Sequence, residues 1–585
     1  MSLAEAEVAR AKWESVWHPP VNFFKPRKPN PNSSLNIAAV VGERLYQGLR
    51  YEGRLHIALP ETWRQIIDHA EVDFLIFESF FVSCTGHWRY GQVGEGKARK
   101  ELEELLCYSK KQSIPTVYWI THGAEYFSAF SEFSRLFDYV FCADPEMAGL
   151  LASSGVEART LLPAVQPAVH NPLKQTGEGV FTVDVLVDRI SLINKCESGL
   201  KSLNDLSEHG YKSVDSGSLS ANSSLAQDHS FLGTVSPEAL LEIVKRTGVY
   251  LTCGETAESP TSQQWRSLQA AACKSLVVHY GEIDAAEVRQ GLVCSYRGKE
   301  ELLVALAAFE KDELYRRRLA HQAWRRVHSE HTFSHRLREI TAVLGIENDW
   351  VEFEKISVVM PTCRPELISG ALSSFEKQAY PNKELVIVMN WQGADAGAVP
   401  VMGNVKALSV PFENPAAVCL NFGIEHASGK YCVRMDDDDF YGENFLADIA
   451  LSLRAVDAVV FGKPPAYICF ESDGSVYSRA AAWPDVVLGR GEILSGEKWL
   501  AGNSLGGEVD FLKNHPYPES CLDAADTGFL KSAAQHVAEF FVFDDFNSVA
   551  SRRSDISSHT WKIAESLLRK KGDRLVGVSV SDIFV

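Results

Sequence analysis

Short apolar runs alternate with helix-length amphipathic stretches along most of this chain, and that alternation is the tightest constraint on its fold. LNIAAVV, VDFLIFES, PTVYWIT, YVFCAD and ARTLLPA follow one another between 35 and 164, with helical segments such as 97–112 between them. A break at HNPLKQTGEG (170–179) precedes a second series: VFTVDVLVD (180–188), GVYLTC (248–253) and SLVVHY (275–280). That series contains a Ser/Asn-rich stretch at 213–225, read as an exposed loop, and closes on a long charged helical pattern over roughly 309–344. A third series starts at KISVVMPT (355–362). Strand and helix in strict alternation predict parallel sheets covered by helices. The expected layout is a helix and linker over 1–36, two α/β domains at 37–173 and 174–346, and a third at 354–585. In doubly wound sheets ligands gather at the carboxyl ends of the strands, so chemistry is sought there.

Composition narrows the classes. The 585 residues carry 58 Lys and Arg against 76 Asp and Glu, a formal charge of −18. A general nucleic-acid binder needs a basic face, which this balance disfavours. No apolar run reaches the ~18 residues of a membrane span. The opening MSLAEAEVARAKWESVWHPP has Glu5, Glu7 and Glu14 where a secretion signal is basic and then apolar, and it reads as an amphipathic helix stopped by Pro19 and Pro20. The twelve cysteines are scattered with no Cys-x-x-Cys pair, as expected for buried thiols in a reducing cytosol.

The densest chemical signal is YCVRMDDDDFYGENF (431–445), where an apolar strand runs directly into Asp436–Asp439. Four adjacent carboxylates repel one another, and a hard divalent cation with oxygen ligands would offset that repulsion. A solvated acidic turn or a helix N-terminus is the other reading of a bare Asp run.

The surrounding order carries a resemblance. Pro361-Thr362 follows a strand; Gln378-Ala379-Tyr380-Pro381 and Glu384-Leu385 follow a helix; Leu420-Asn421-x-Gly423-Ile424 and Ala427-x-Gly429-x-Tyr431 lead to Asp436-x-Asp438-Asp439. This resembles glycosyltransferase family 2, inverting enzymes of the GT-A fold, over about 355–565. The resemblance implies that Pro361, Thr362, Arg364, Asp436 and Asp437 lie at the nucleotide-sugar donor. It implies that Asp438, with Asp436, holds Mn²⁺ or Mg²⁺ against the diphosphate. The family often ends its second strand in Asp, whereas VIVMN ends in Asn390, which leaves the base of the nucleotide open.

An inverting transferase needs one general base to accept the acceptor proton. The resemblance points to Asp526 in Ala525-Asp526-Thr527, where Glu-Asp-Thr is usual, with Asp523 as the alternative. An Asp ahead of a helix is also a common cap. FDDFNSVASRRSDISSHTW (543–561) resembles the closing segment of related bacterial sugar transferases. It implies Arg552 or Arg553 as a phosphate clamp and His559 as a metal or phosphate ligand. AGNSLGG (501–507) would line the acceptor side.

Residues 37–346 resemble a GT-B glycosyltransferase of the CgeB-like group through VDFLIFES with Trp88, IPTVYWIT, FDYVFCAD, LLPAVQPAVHNP, SPTSQQWRSLQAAACKSLVV and HTFSHR (331–336). The fold class expected is therefore α/β: two Rossmann-like domains in a GT-B arrangement followed by a GT-A domain. The likeness implies donor contacts at Ser259, Thr261, Arg266 and Gln269. Gln269 and Lys274 stand where the group has Glu and Gly, and THGAE (121–125) replaces its acidic pair. The module is thus either a second transferase or a degenerate scaffold that positions acceptor or partner.

The expected activity is metal-dependent, inverting transfer from a nucleotide sugar to a glycan, in cell-surface polysaccharide or teichoic-acid-like polymer synthesis. The acceptor would be a free or lipid-linked glycan, met in the cytoplasm or at the inner membrane face, with self-association a further expectation. A bifunctional polymerase and a non-catalytic glycan-binding scaffold are the alternatives. A nicotinamide enzyme is disfavoured, since no G-x-G-x-x-G follows a strand.

Overall fold

The computed structural model describes residues 19–29, 33–176, 181–188, 211–215, 231–253, 259–281, 283, 291–347, 350, 353–399, 403–479, 483–520, 525–554 and 563–585. Asp523 and His559 lie outside the described residues. The chain divides into two compact units. One comprises Met1–Val21, Lys25–Asn171 and Gly179–Val351; the other Asn22–Phe24, Pro172–Glu178 and Glu352–Val585.

The first unit holds two six-stranded parallel sheets. In one, the order is Arg54–Ile57, Asn36–Val40, Phe74–Glu78, Thr116–Ile120, Tyr139–Cys142, Ala158–Thr160. Phe74–Glu78 and Thr116–Ile120 are buried at every position, as strands covered on both faces must be. The chain order reverses between Asn36–Val40 and Phe74–Glu78, which opens a crevice at their carboxyl ends. The other sheet runs Phe231–Thr234, Tyr211–Asp215, Val183–Asp188, Thr247–Cys253, Leu276–Tyr280, Cys294–Tyr296, with its reversal between Val183–Asp188 and Thr247–Cys253.

Several local expectations change. Tyr211–Asp215 is a strand, so the stretch read as a loop from 213 begins inside a sheet; residues 216–225 lie outside those described. The helical pattern over 309–344 is three helices, Lys299–Lys311, Glu313–Glu330 and Phe333–Leu344. It breaks where the Asp312 side chain caps the second helix by accepting from Tyr315 N–H at 2.9 Å. HTFSHR is a latch. Arg336 Nε donates to Leu162 carbonyl at 2.8 Å, Thr332 bridges Val165, and Phe333 packs on Trp119 and Trp265.

The second unit is built on a nine-stranded mixed sheet: Val405–Ser409, Lys383–Met389, Ile356–Thr362, Tyr431–Arg434, Gly506–Glu508, Val460–Gly462, Glu539–Val542, Val486–Gly489, Lys174–Gln175. The first four are mutually parallel; Gly506–Glu508 runs against its neighbours. Lys174–Gln175 heads the 174–346 segment in the sequence reading, yet it pairs with Val486 and Val487 in this unit. The pairing satisfies backbone groups of an otherwise bare sheet edge. A smaller sheet of five strands joins Phe440–Tyr441, Ser548–Arg552, Tyr467–Phe470, Val476–Arg479 and Gly572–Arg574.

The motif residues prove to be packing devices that aim this sheet. A Cβ on Gly423 would lie 2.6 Å from Val359 Cγ1, so only glycine lets helix Ala416–Glu425 settle on the strand. Buried Gln378 donates to Gly442 carbonyl at 2.9 Å and accepts from Leu446 N–H at 3.1 Å, which pins the chain just past the aspartates. Asn421 clasps Tyr517, donating to its carbonyl at 2.9 Å and accepting from its N–H at 2.8 Å.

Candidate functional site

Strand alternation starts the site. Val433, in strand Tyr431–Arg434, and Met435, just beyond its end, are fully buried, whereas Arg434 and Asp436 between and after them are only partly so. The strand ends at Arg434, and the chain turns through Asp436–Asp439 at the carboxyl end of the parallel strands, beside the end of Ile356–Thr362.

Each aspartate has its own partners. Arg434 Nε and Nη2 donate to Asp436 Oδ1 and Oδ2 at 2.5 and 3.0 Å. Thr362 Oγ1 donates to Asp437 Oδ2 at 2.5 Å, and the Arg364 guanidinium grips both Asp437 oxygens. Arg364 Nη1 also donates to Asp438 Oδ2 at 2.8 Å, and Arg553 Nη2 lies 3.4 Å from the same oxygen. Asp439 accepts from Asn503 Nδ2 at 2.6 Å and from Ser551 N–H at 2.7 Å. Tyr441 links the turn to the next loop: it accepts from Asp436 N–H and donates to Asn503 carbonyl, both at 2.8 Å.

Electrostatics follow from this crowding. Burial, then the neighbouring Asp436 and Asp438 charges, push the Asp439 carboxyl up to about 8. Burial raises Asp436 as well, although the Arg434 guanidinium pulls the other way. Carboxylate oxygens crowded together at one turn are a fitting seat for a hard divalent cation. Asp436 and Asp438 are the residues that would hold it.

Asp526 joins the cluster. It sits in the first turn of helix Ala525–Ala533, and Arg434 Nη1 donates to its Oδ1 at 2.6 Å. The loop over 501–507 closes on it, for a Cβ on Gly502 would fall 1.9 Å from Asp526 Oδ2. One guanidinium therefore bridges Asp436 and Asp526, 90 residues apart in sequence.

Of the remaining expected residues, Pro361 lies in the strand with Thr362, and Asn390 N–H donates to Thr362 carbonyl at 3.0 Å. Asn390 Nδ2 is spent on Asn414 carbonyl at 3.0 Å. Arg552 is buried and donates to Ile563 carbonyl, whereas its neighbour Arg553 reaches Asp438. The strand Ser548–Arg552 ends at Arg552, and Arg553 follows just beyond it. Arg434 was missed in the sequence, and its signal is an arginine in an otherwise apolar strand two positions before the aspartates.

In the first unit, Ser259 caps helix Pro260–Ala272 by accepting from Ser262 N–H at 3.2 Å, with Thr261 buried behind it. Arg266 pairs with fully buried Asp188 at the sheet's reversal, and Gln269 is half-buried on the same helix. Lys274 has φ 60, in the left-handed region that glycine adopts most readily. Its Nζ lies 4.5 Å over the Trp324 ring. At the other sheet's reversal, buried Glu78 accepts from Gly42 N–H at 2.8 Å and Thr121 Oγ1 at 2.9 Å, and its carboxyl is raised by burial. Ser79 Oγ lies 2.6 Å from His122 Nδ1, and burial, then the Arg44 charge, lower that imidazole to about 4. Among the described residues, no helix is long and apolar enough to cross a membrane.

Residues 357–495 match the family model described as glycosyl transferase family 2, and residues 207–342 the model described as glycosyl transferase-like. No curated protein matches. Among solved structures, S. aureus TarS 1–349 in complex with UDP-GlcNAc is similar at 20% identity and TM-score 0.30, over 35% of this chain and 60% of that one. A mannosyltransferase from Pyrobaculum calidifontis, in complex with GDP-Man and Mn²⁺, is similar at 17% identity and TM-score 0.26, over 34% of this chain and 57% of that one. The chain thus spans about three fifths of the length of these structures.

Proposed function

We propose, from the premise that this chain carries a family 2 glycosyltransferase domain, that its second unit transfers a sugar from a nucleoside-diphosphate donor to a glycan hydroxyl with inversion. The observation that carries the reading is the single cluster in which Asp436–Asp439, Arg364, Arg553 and Asp526 meet at the strand ends. In the reaction, the acceptor oxygen forms a bond to the anomeric carbon as the bond to the diphosphate oxygen breaks. The diphosphate leaves with the electron pair. Asp526 takes the acceptor proton from the face opposite the leaving group. Arg364 and Arg553 are the chain's own cations for the departing phosphates. A bound Mn²⁺ or Mg²⁺, held by Asp436 and Asp438, would supply Lewis-acid neutralisation of that charge. Pro361, Thr362 and Asp437 would shape the donor pocket, with Asn390 nearest the base.

The acceptor we infer is a growing surface glycan, free or lipid-linked, met in the cytoplasm or by peripheral docking at the inner membrane face. Self-association belongs to the same proposal. A thermal-shift and turnover panel of UDP-, GDP-, CMP- and dTDP-sugars with Mn²⁺ tests the reading. One class should raise the melting point and release its nucleoside diphosphate, since a ligand stabilises the state that binds it. Stabilisation with no release by any donor supports a binding scaffold instead.

The Glu78–Thr121 and Ser79–His122 pairs and the Arg266–Asp188 pair, all at sheet reversals of the first unit, favour a second reading in which both units transfer sugars. Under it, Arg266→Ala and Asp526→Asn block different steps, and mixing the two proteins restores polymer. Failure of the mixture to complement leaves the first unit a scaffold.

A further inference from the structure

The Arg434 guanidinium spends three N–H donors on two carboxylates with different proposed duties. Nε and Nη2 hold Asp436, on the donor side, and Nη1 holds Asp526, the proposed base. The arrangement follows from register. Cys432 lies on the same face of the strand as Arg434, in the apolar cluster that also contains Phe529 and Leu530 of the Asp526 helix. Packing of that helix therefore delivers Asp526 to Arg434.

Stability alone is a poor reason for this arginine. A guanidinium with 14% of its side chain exposed has lost most of its hydration, and well-packed apolar residues commonly match such a buried ionic triad in stability. The geometry at Asp526 is more telling. Arg434 takes Oδ1, and Oδ2 occupies the space where a Gly502 side chain would begin. Among the described residues, no donor reaches Oδ2. The carboxylate is thus fixed through one oxygen while the other faces the glycine of the 501–507 loop.

We propose that Arg434 is a positioning residue: it orients Asp526 so that Oδ2 meets the acceptor hydroxyl over Gly502, and ties that orientation to Asp436. This rests on the reading of Asp526 as the base. Both carboxylates are engaged at once only by a planar fork; a lysine ammonium is a point charge that cannot span them in the same way. The absence of a side chain at Gly502 is what lets Oδ2 take up this position at all, since a Cβ there would overlap it.

The test uses the full chain and whichever UDP-, GDP-, CMP- or dTDP-sugar it turns over. For Arg434→Met the expected result is a fall in kcat of about a hundredfold, the scale of a misdirected general base. The donor Kd by calorimetry should change by less than roughly fivefold, under about 1 kcal/mol. Arg434→Lys should recover only part of kcat. For Arg434→Ala, added guanidinium should raise kcat in a saturable way, which a purely structural role would not allow. Gly502→Ala should lower kcat with donor Kd retained. Asp526→Asn separates the two claims. If Asp526→Asn is inactive while Arg434→Met and Arg434→Lys keep wild-type kcat, the positioning role is overturned and the base stands. If Asp526→Asn keeps wild-type kcat, both fall. Should Arg434→Met melt far below wild type, the lysine variant and guanidinium rescue decide: no rescue by either overturns the proposal.

Discussion

At the scale of single residues, the acidic turn is held by chain cations before any ligand arrives. Arg364 sits on Asp437 and Asp438, Arg434 on Asp436, and Arg553 near Asp438. Asp438→Asn keeps the shape but removes one charge from the seat assigned to the metal. It is expected to reduce turnover by about a hundredfold or more. Chelation by EDTA should bring the wild type to the same level, with Mn²⁺ restoring the wild type alone. Wild-type turnover that survives EDTA would show that Arg364 and Arg553 suffice. The Asp run and Asp526 could be singled out in the sequence, the run because adjacent carboxylates repel one another and Asp526 because the resemblance points to it. Arg434 could not, since only the strand's facing and the packing of a helix 90 residues later make it a bridge. Lys274 shows the opposite failure: its departure from glycine was visible, but its left-handed backbone was not.

At the scale of elements, strands with fully buried, β-branched cores were easy to read, and edge strands were not. Arg54–Ile57, Phe231–Thr234 and Cys294–Tyr296 are short and half-buried, so their apolar signal is weak. The motif Glu384 is a clamp between strands rather than a catalytic group. It accepts from Ser357 Oγ at 2.5 Å and Ser428 N–H at 2.7 Å, and Lys355 Nζ lies 2.9 Å away. Burial alone would raise its carboxyl, but these hydrogen bonds outweigh it and hold the group at about 2. Because the folded value lies below the unfolded one, the contribution is complete above about pH 5 and is lost as pH falls toward 2. Glu384→Gln should therefore cost about 2 kcal/mol at pH 7. It should also flatten the fall in stability between pH 5 and 2 in urea titrations. An unchanged acid limb would mean that other carboxylates carry it.

At the scale of the molecule, a two-unit chain with a −18 charge must bind an anionic donor against its own field. The second unit gathers Arg364, Arg434 and Arg553 around the acidic turn, where they pair with its carboxylates. The α/β character follows from the strand–helix rhythm. The pairing of Lys174–Gln175 with the distant Val486–Gly489 had no local signal, because two residues carry no period. The central claim is that Asp526 accepts the acceptor proton in an inverting transfer. It is tested most directly by following the anomeric proton of donor and product by NMR for wild type and Asp526→Asn. The account predicts a product of opposite anomeric configuration to the donor. It also predicts that Asp526→Asn lowers the rate by about 10²–10⁴-fold while still binding donor. A product of retained configuration, or an Asp526→Asn enzyme with wild-type turnover, would contradict it.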